Sequence, residues 1–398
     1  MLRLASRSAW QQGDPSRAAL LAQEAIDALA GLHETVEFGR AIVNLAGLRM
    51  LARADEEAIS LAEQALGIGE RFADAWTTSN ALITKGTVLR EPAVRADGNA
   101  LLRRGLETAL AGGLPEVALR AYNNLLITLQ ADPVERERLL AEGTAYAARH
   151  GIEQPMLLAA RAFEAFLRGD WDEALASAER IPEGSFWYDG TALMARVGIA
   201  LGRAGPAEAL ALVRDRAEQA SRHAEAQRYV GLVAELMLVC AFGDERAECE
   251  RWSRQLRERA EADVGVLRFL TSGPFHVLLP TAVYLRQPDW IDRVEGMLLT
   301  DDAGEPARSL VGAARACLAA DAVGCALALD VYDHQFLVRW RGVPPAPTLL
   351  FARELRRQGV ALGSEWESLL RRLRKHLERS DAPWFLAELD RVAPGVGR

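Results

Sequence analysis

The sequence predicts an all-α protein built from antiparallel helix pairs repeated along the chain. Three observations predict it. RGDWDEALASAERIP (Arg168–Pro182) sets a Gly-Asp turn ahead of a helix with small residues four apart. The same grammar recurs at a period of roughly 34–40 residues, giving roughly seven or eight pairs. No series of alternating apolar and polar residues marks a strand.

Each pair can be justified in order. Near the N-terminus, QGDPSRAALLAQEAIDAL turns at Gly13, caps at Asp14 and places Pro15 at the first helical position, where its missing N–H costs nothing. Ala18, Ala22 and Ala25 then share one face. ARADEEAISLAEQAL repeats this with Ala58, Ala62 and Ala65, and VRADGNALLRRGLETAL does so with Gly98 and Gly105. VERERLLAEGTAYAARHG is a copy with a less regular turn. In the copy at Arg168–Pro182, Gly169 ends the helix LLAARAFEAFLR through a positive φ. Asp170 and Glu173 are spaced as a capping box, Trp171 covers the turn, and Ala174 and Ala178 form the small face. GRAGPAEALALVRDRAEQA and FGDERAECERWSRQLRERA follow. Runs such as AIVNLAGLRML, NALITKGTVL and RAYNNLLITLQ supply the first helix of each pair.

Regularity fades after about Asp263, where SGPFHVLLPTAVYL, DDAGEPARSL and RGVPPAPTLL interrupt the period. The expected organisation is therefore regular repeats over 1–263 and degenerate helical repeats over 264–398. Pro344, Pro345 and Pro347 break a helix without making a linker. The amphipathic segment Trp366–Arg379 carries Leu369, Leu370, Leu373 and Leu377 on one side and Arg371, Arg372, Arg374 and Lys375 on the others. It is expected to be a capping helix, packed on its apolar stripe, rather than a membrane-surface or partner-groove helix.

The period and the residues Gly13, Asp14, Ala18, Ala25, Gly169, Asp170, Trp171 and Ala174 resemble the tetratricopeptide repeat. That resemblance implies a right-handed superhelical solenoid of tetratricopeptide-like helical pairs. Runs such as ALITKG, FLRGDWDEALASAERIP and DAPWFLAEL are similar to the C-terminal repeat arms of bacterial signalling ATPases. These include nucleotide-cyclase-linked members and relatives of the MalT-like and LuxR-type transcription regulators. The resemblance covers most of the chain but only that arm. It implies a cytoplasmic sensor arm in bacterial signal transduction or transcription regulation, here without the catalytic and DNA-binding parts.

Composition narrows the function classes. The formal net charge of −8 gives no global attraction to nucleic acid or anionic lipid. Lys85 and Lys375 are the only lysines, so arginine carries almost all the positive charge. The four cysteines have no C-x-x-C spacing and are expected to be reduced, buried hydrophobes. The six histidines lack metal-ligand spacing. The most apolar run, VGLVAELMLVCAF, is only about a dozen residues long, too short for a membrane span, and holds Glu235. MLRLASRSAWQQGD faintly resembles a transit peptide but reads better as the first repeat helix.

Catalytic motifs are not found. Neither lysine stands in a Walker loop, and there is no dinucleotide fingerprint, nucleophile elbow or helix-turn-helix. No cofactor is expected, and the chain is read as a non-enzyme. Two alternatives stand beside this: a detached part of an ATPase or nucleotide-cyclase regulator, and an enzyme centred on His276, Asp289, Asp301, Asp302, Asp333 and His334 in the irregular region, which requires at least two of them to converge.

In stacked pairs the first helices line the concave face. The partner-binding candidates on that face are Arg3, Arg7, Trp10, Arg40, Met50, Asn80, Thr87, Arg90, Arg120, Asn123, Gln130, Phe163 and Phe166. Guanidinium forks and amides there suit a peptide backbone, an acidic group or a small effector. An abundance of arginine everywhere in the chain would give the same pattern on any solvated face. Lys85 either points into the groove or packs its stem and extends its ammonium to solvent. In FWYDG (Phe186–Gly190) one aromatic is either exposed for a partner or covers a turn, and the packed arrangement is preferred. The expected partner is a protein or peptide, or a small-molecule effector, with no direct nucleic acid and no membrane.

Overall fold

The fold is seen in a computed structural model that describes residues 1–89, 93–128, 133–152, 154–182, 188–222, 226–263, 266, 275–300, 305–340 and 345–396. Among the described residues there are helices and turns and no strand. The chain divides into two compact units, Met1–Leu157 and Leu158–Arg222 with Ala226–Arg398. This division lies elsewhere than the loss of repeat regularity near Asp263.

The first unit contains α1 (Leu2–Gln11), α2 (Pro15–Asp27), α3 (Val36–Leu51), α4 (Asp55–Arg71), α5 (Ala75–Val88), α6 (Arg95–Ala111), α7 (Pro115–Thr128) and α8 (Pro133–Arg149). Each helix packs on the next, and α1, α3, α5 and α7 also pack on one another. The first helices therefore share one side of the unit, as the repeat pattern implies.

Local chemistry starts and stops these helices. Gly13 has φ 85°, and Asp14 accepts a hydrogen bond from the Arg17 amide at 2.9 Å, capping α2. Ala18, Ala22, Ala58, Ala62 and Ala65 are buried as expected. The closest crossing joins α5 to α6. A Cβ built on Gly98 would lie 2.4 Å from the Leu89 carbonyl and 2.8 Å from that of Gly86. No larger residue fits there without parting the helices.

Helices α9 (Pro155–Arg168) to α21 follow. They are α10 (Trp171–Glu179), α11 (Leu193–Arg203), α12 (Pro206–Ala220), α13 (Ala226–Gly243), α14 (Arg246–Ala262), α15 (Phe275–Leu285), α16 (Pro288–Thr300), α17 (Glu305–Leu318), α18 (Ala322–Trp340), α19 (Pro345–Arg357), α20 (Ser364–Arg379) and α21 (Pro383–Val392). Within the second unit, Trp171 is buried, donates its indole N–H to the Phe166 carbonyl at 3.3 Å and stacks on the Phe166 ring. Asp170 makes no side-chain cap; it pairs with Arg168 at 2.9 Å, and Glu173 pairs with Arg161 and Arg168. Neighbouring arginines thus outcompete the helix amides for both carboxylates. Phe186 and Trp187 lie outside the described residues, as does the side chain of Tyr188.

The period is visible in ion pairs between successive second helices. Arg103–Glu135, Arg214–Glu248, Arg251–Glu218 and Arg293–Glu261 are each 32–34 residues apart in sequence. They link α6 to α8, α12 to α14 and α14 to α16. Each has a largely exposed guanidinium and contributes about 0–1 kcal/mol.

The second unit closes on itself instead of ending at an open edge. Helices α11, α13, α15, α17, α19 and α21 pack in succession, and α21 returns onto α11. Trp384 and Phe385 of α21 meet the Phe242 ring edge-on at 5.7 and 5.5 Å. Consequently α13 and α15 bury side chains all round, from Tyr229 to Phe242 and from Val277 to Leu285 with few exceptions. The Trp366–Arg379 helix, α20, buries its leucine stripe as expected. It also buries Arg374 and His376: Arg374 donates to the Val396 carbonyl at 2.8 Å, and His376 lies beside Gly169 at the turn before α10. α19 begins at Pro345, so the proline run starts a helix after the interruption. Pro344 lies outside the described residues. All four cysteines are free and buried.

A buried ionic network holds this closure. Arg353 on α19 donates to the Phe242 carbonyl at 3.1 Å and to that of Ala241, placing a cation at the C-terminus of α13. Glu354 and Glu388 approach it at 3.8 Å, and Arg357 bridges Glu354 and Asp244 at 2.9 and 2.5 Å. Burial lowers the Arg353 pKa and raises that of Glu354. Glu235 on α13 and Asp333 on α18 are buried outside this network, and desolvation pushes each carboxyl up to about 8.

Two outcomes follow from this packing. Gly98→Ala is expected to lose about 1–3 kcal/mol despite alanine's better helix propensity, because the added methyl meets backbone. Gly67→Ala, where nothing lies within 4 Å, is expected to gain about 0.5–1 kcal/mol; urea unfolding of the two variants checks the opposite signs. Burial keeps Glu235 and Asp333 protonated in the folded state up to about pH 8, whereas they have ordinary values of about 4 when unfolded. Their contribution to stability is complete below about pH 4 and is lost as pH rises through about 8. Glu235→Gln should therefore flatten the fall in unfolding free energy between pH 5 and pH 8, measured by denaturant titration.

Candidate functional site

The inner side of α1, α3, α5 and α7 in the first unit is the candidate binding face. Helical spacing places Arg3 and Arg7 on one side of α1. The Arg3 guanidinium lies 4.8 Å from the Trp76 ring centroid, and Arg40 of α3 shares that ring at 5.8 Å. Trp10 is half-buried further along α1.

Several candidates prove to be committed within the protein. Arg40 forms a two-pronged pair with Asp74, at 2.7 and 3.1 Å. Asp74 also caps α5, accepting from the Thr77 amide at 3.1 Å and its hydroxyl at 2.5 Å. Burial alone would raise the Asp74 pKa, but the bonds from Arg40 and Thr77 hold it below the usual carboxylate range. Asn80 is buried; it donates to the Trp76 carbonyl at 2.9 Å and accepts from Arg120 at 2.7 Å. Asn123 is buried and donates to Asn124, which in turn donates to Thr87 at 2.7 Å. These side chains, expected to face a ligand, satisfy one another instead because their helices sit too close to leave buried amides unpaired. Met50 is likewise buried.

Arg120 is different. Its two terminal nitrogens donate to Asn80 Oδ1 at 2.7 Å and Thr84 Oγ1 at 2.9 Å, both neutral acceptors. Burial first, then the charge of Arg7, pulls its pKa down to about 10. Arg3 is lowered by burial and then by Arg40 and Arg7. Thus the charge of Arg7 acts on both Arg3 and Arg120, and among the described residues none of the three has an ion-pair partner. Asn44, half-buried on α3, donates to Ser6 at 3.0 Å.

The remaining candidates fall elsewhere. Arg90 and Gln130 lie outside the described residues. Phe163 and Phe166 belong to the second unit. Phe166 packs at the crossing with Gly198 and stacks on Trp171, so it serves the core rather than a groove. Lys85 turns from the inner face to Glu63 on α4, at 2.7 Å. Of the acids and histidines in the irregular region, Asp289 is tied to Arg257 at 2.5 Å, Asp333 is enclosed and His334 is exposed. Asp301 and Asp302 lie outside the described residues. Among the described residues no group of three or more His, Cys, Asp or Glu gathers for a metal, and no helix is long and apolar enough to cross a membrane.

Sequence reasoning missed Asp74, Trp76, Thr84, Asn124 and Asn44. One signal was readable: Asp74 stands three residues before Thr77 at a helix start, the spacing of a cap.

No protein-family profile matches the chain, and no curated protein is significantly similar to it. Among solved structures, one similar chain is described as a circular tandem repeat protein with novel repeat topology and enhanced subunit contact surfaces. It is 17% identical over 98% of this chain and 88% of its own, with a TM-score of 0.21, a superposition too poor to carry any argument. The helix-pair architecture rests on the packing described above.

Asp74→Ala should cost about 1–2 kcal/mol, since it removes both the α5 cap and the Arg40 pair. Arg40→Ala leaves the cap in place and should cost about 0–1 kcal/mol. Urea midpoints of the two variants measure the difference.

Proposed function

We propose that this chain is a non-catalytic helical-repeat scaffold that binds a protein segment or a small effector on the inner face of its first unit. The observation that carries the reading is the set of three arginines there without ion-pair partners. They stand on helices whose positions are fixed by Gly and Ala crossings and by a satisfied polar ladder. Arg3 is held by the Trp76 ring and Arg120 by Asn80 and Thr84, so these two side chains lose little freedom on binding, which favours recognition. The biological setting follows from the resemblance to repeat arms of bacterial signalling ATPases. In that setting the chain is cytoplasmic, senses an effector and adjusts an ATPase or transcription switch.

The reading is tested by screening immobilised full chain against effector libraries and against the ATPases and regulators encoded beside it. A specific binder should lose at least about tenfold in affinity, roughly 1.4 kcal/mol, on Arg7→Ala. Arg7 is exposed and holds nothing else in place. Binders that tolerate Arg3, Arg7 and Arg120 substitutions, yet respond to changes in the second unit, would overturn the assignment.

A further inference from the structure

Helix α18 buries Cys325, Ala326, Leu329 and Tyr332 against its neighbours. On its opposite face Val323, Leu327 and Val331 are 49%, 58% and 39% exposed, one at each turn. Single exposed apolar side chains are ordinary, but these three form one continuous strip about 12 Å long. Helix α20 borders the strip. The Trp366 indole donates to the Ala322 carbonyl at 2.8 Å, and Arg372 pairs with Asp330. The pair with Asp330 fixes which flank of α20 faces α18. Helical spacing places Lys375 and Arg379 on that flank with Arg372, and Glu367, Arg371 and Glu378 on the far one. Glu365, an acid on the near flank, stands back in the first turn of the helix. Lys375 and Arg379 are exposed, and among the described residues neither has an ion-pair partner.

We propose that the outer groove between α18 and α20 is a docking surface for an acidic amphipathic helix of a partner protein. An apolar strip with one residue per turn offers its own period to a second helix, whose apolar ridge can lie along it. The border of the strip decides the sign of the partner. Arg372, already paired with Asp330, holds α20 beside α18, while Lys375 and Arg379 remain to meet carboxylates on the partner's flank. The formal charge of −8 gives the whole chain no attraction for acidic partners, so the preference is local to this groove. A second copy of the chain would bring the same cations and not their complement. The surface belongs to the second unit and stands apart from the inner face of the first. It is probed with a designed helix, so its failure leaves the inner-face reading untouched.

The test is fluorescence anisotropy of the full chain with labelled synthetic helices of about four turns. One peptide carries leucines along one face and glutamates on the flank. A second replaces the glutamates with lysines, and a third replaces the leucines with serines. The acidic leucine peptide should bind about tenfold or more tightly than either control. Leu327→Asp should weaken it about tenfold, and Lys375→Glu about fivefold while improving the lysine peptide. Both side chains are exposed, and circular dichroism checks that each variant keeps its helix content. No binding at about 100 μM peptide, equal binding of the acidic and lysine peptides, or binding unchanged in Leu327→Asp overturns the proposal. Sedimentation velocity and vesicle flotation cover the other occupants. A dimer that Leu327→Asp converts to monomer assigns the groove to a second copy, and capture by anionic vesicles that Leu327→Asp abolishes assigns it to a lipid surface. Either result overturns the partner helix.

Discussion

The close approach of neighbouring helices at small residues is the constraint on which the rest of this protein depends. At the Gly86–Gly98 crossing a single methyl group would collide with main chain. Ala18, Ala58 and Ala174 are fully buried at theirs. Helices held this near must bury whatever polar groups face the seam, and buried polar groups must be paired. The ladder from Arg120 through Asn80 to the Trp76 carbonyl, and from Asn123 through Asn124 to Thr87, is the direct consequence. The same closeness puts side chains one period apart within reach, as in the Arg103–Glu135 and Arg214–Glu248 pairs.

The two units use one hairpin motif to different ends. In the first, the inner helices carry Arg3, Arg7, Asn44, Asn80 and Arg120, so their shared side stays polar and charged. In the second, α13 and α15 are apolar on nearly every face and can only be accommodated at the centre of a closed packing. Arg353 then supplies what that centre lacks, a cation at the carbonyl end of α13, while Glu354, Glu388 and Asp244 offset its charge.

Legibility in the sequence followed the range of the interaction. Gly13, Asp14 and Pro15 act within one turn, and their roles were readable. So was the burial of the alanine faces, because helical geometry alone brings residues four apart together. Asp170 shows where local reasoning fails: its spacing suits a cap, but Arg168 takes its carboxylate. Arg40, Asn80 and Asn123 were correctly placed on the first helices. What they bond to was not readable, since Asp74 and Arg120 lie 34 and 40 residues away from Arg40 and Asn80.

By itself, then, the sequence determined the all-helical architecture, the turns and the small-residue seams, because each depends on backbone preference and periodicity. The tertiary structure alone decided which polar groups are consumed by one another and which cations remain uncompensated. It also decided that the second unit closes through Trp384, Phe385 and Arg353. Those outcomes depend on distances between segments more than a hundred residues apart, as from Phe242 to Arg353 and to Trp384, and no local pattern encodes such a distance.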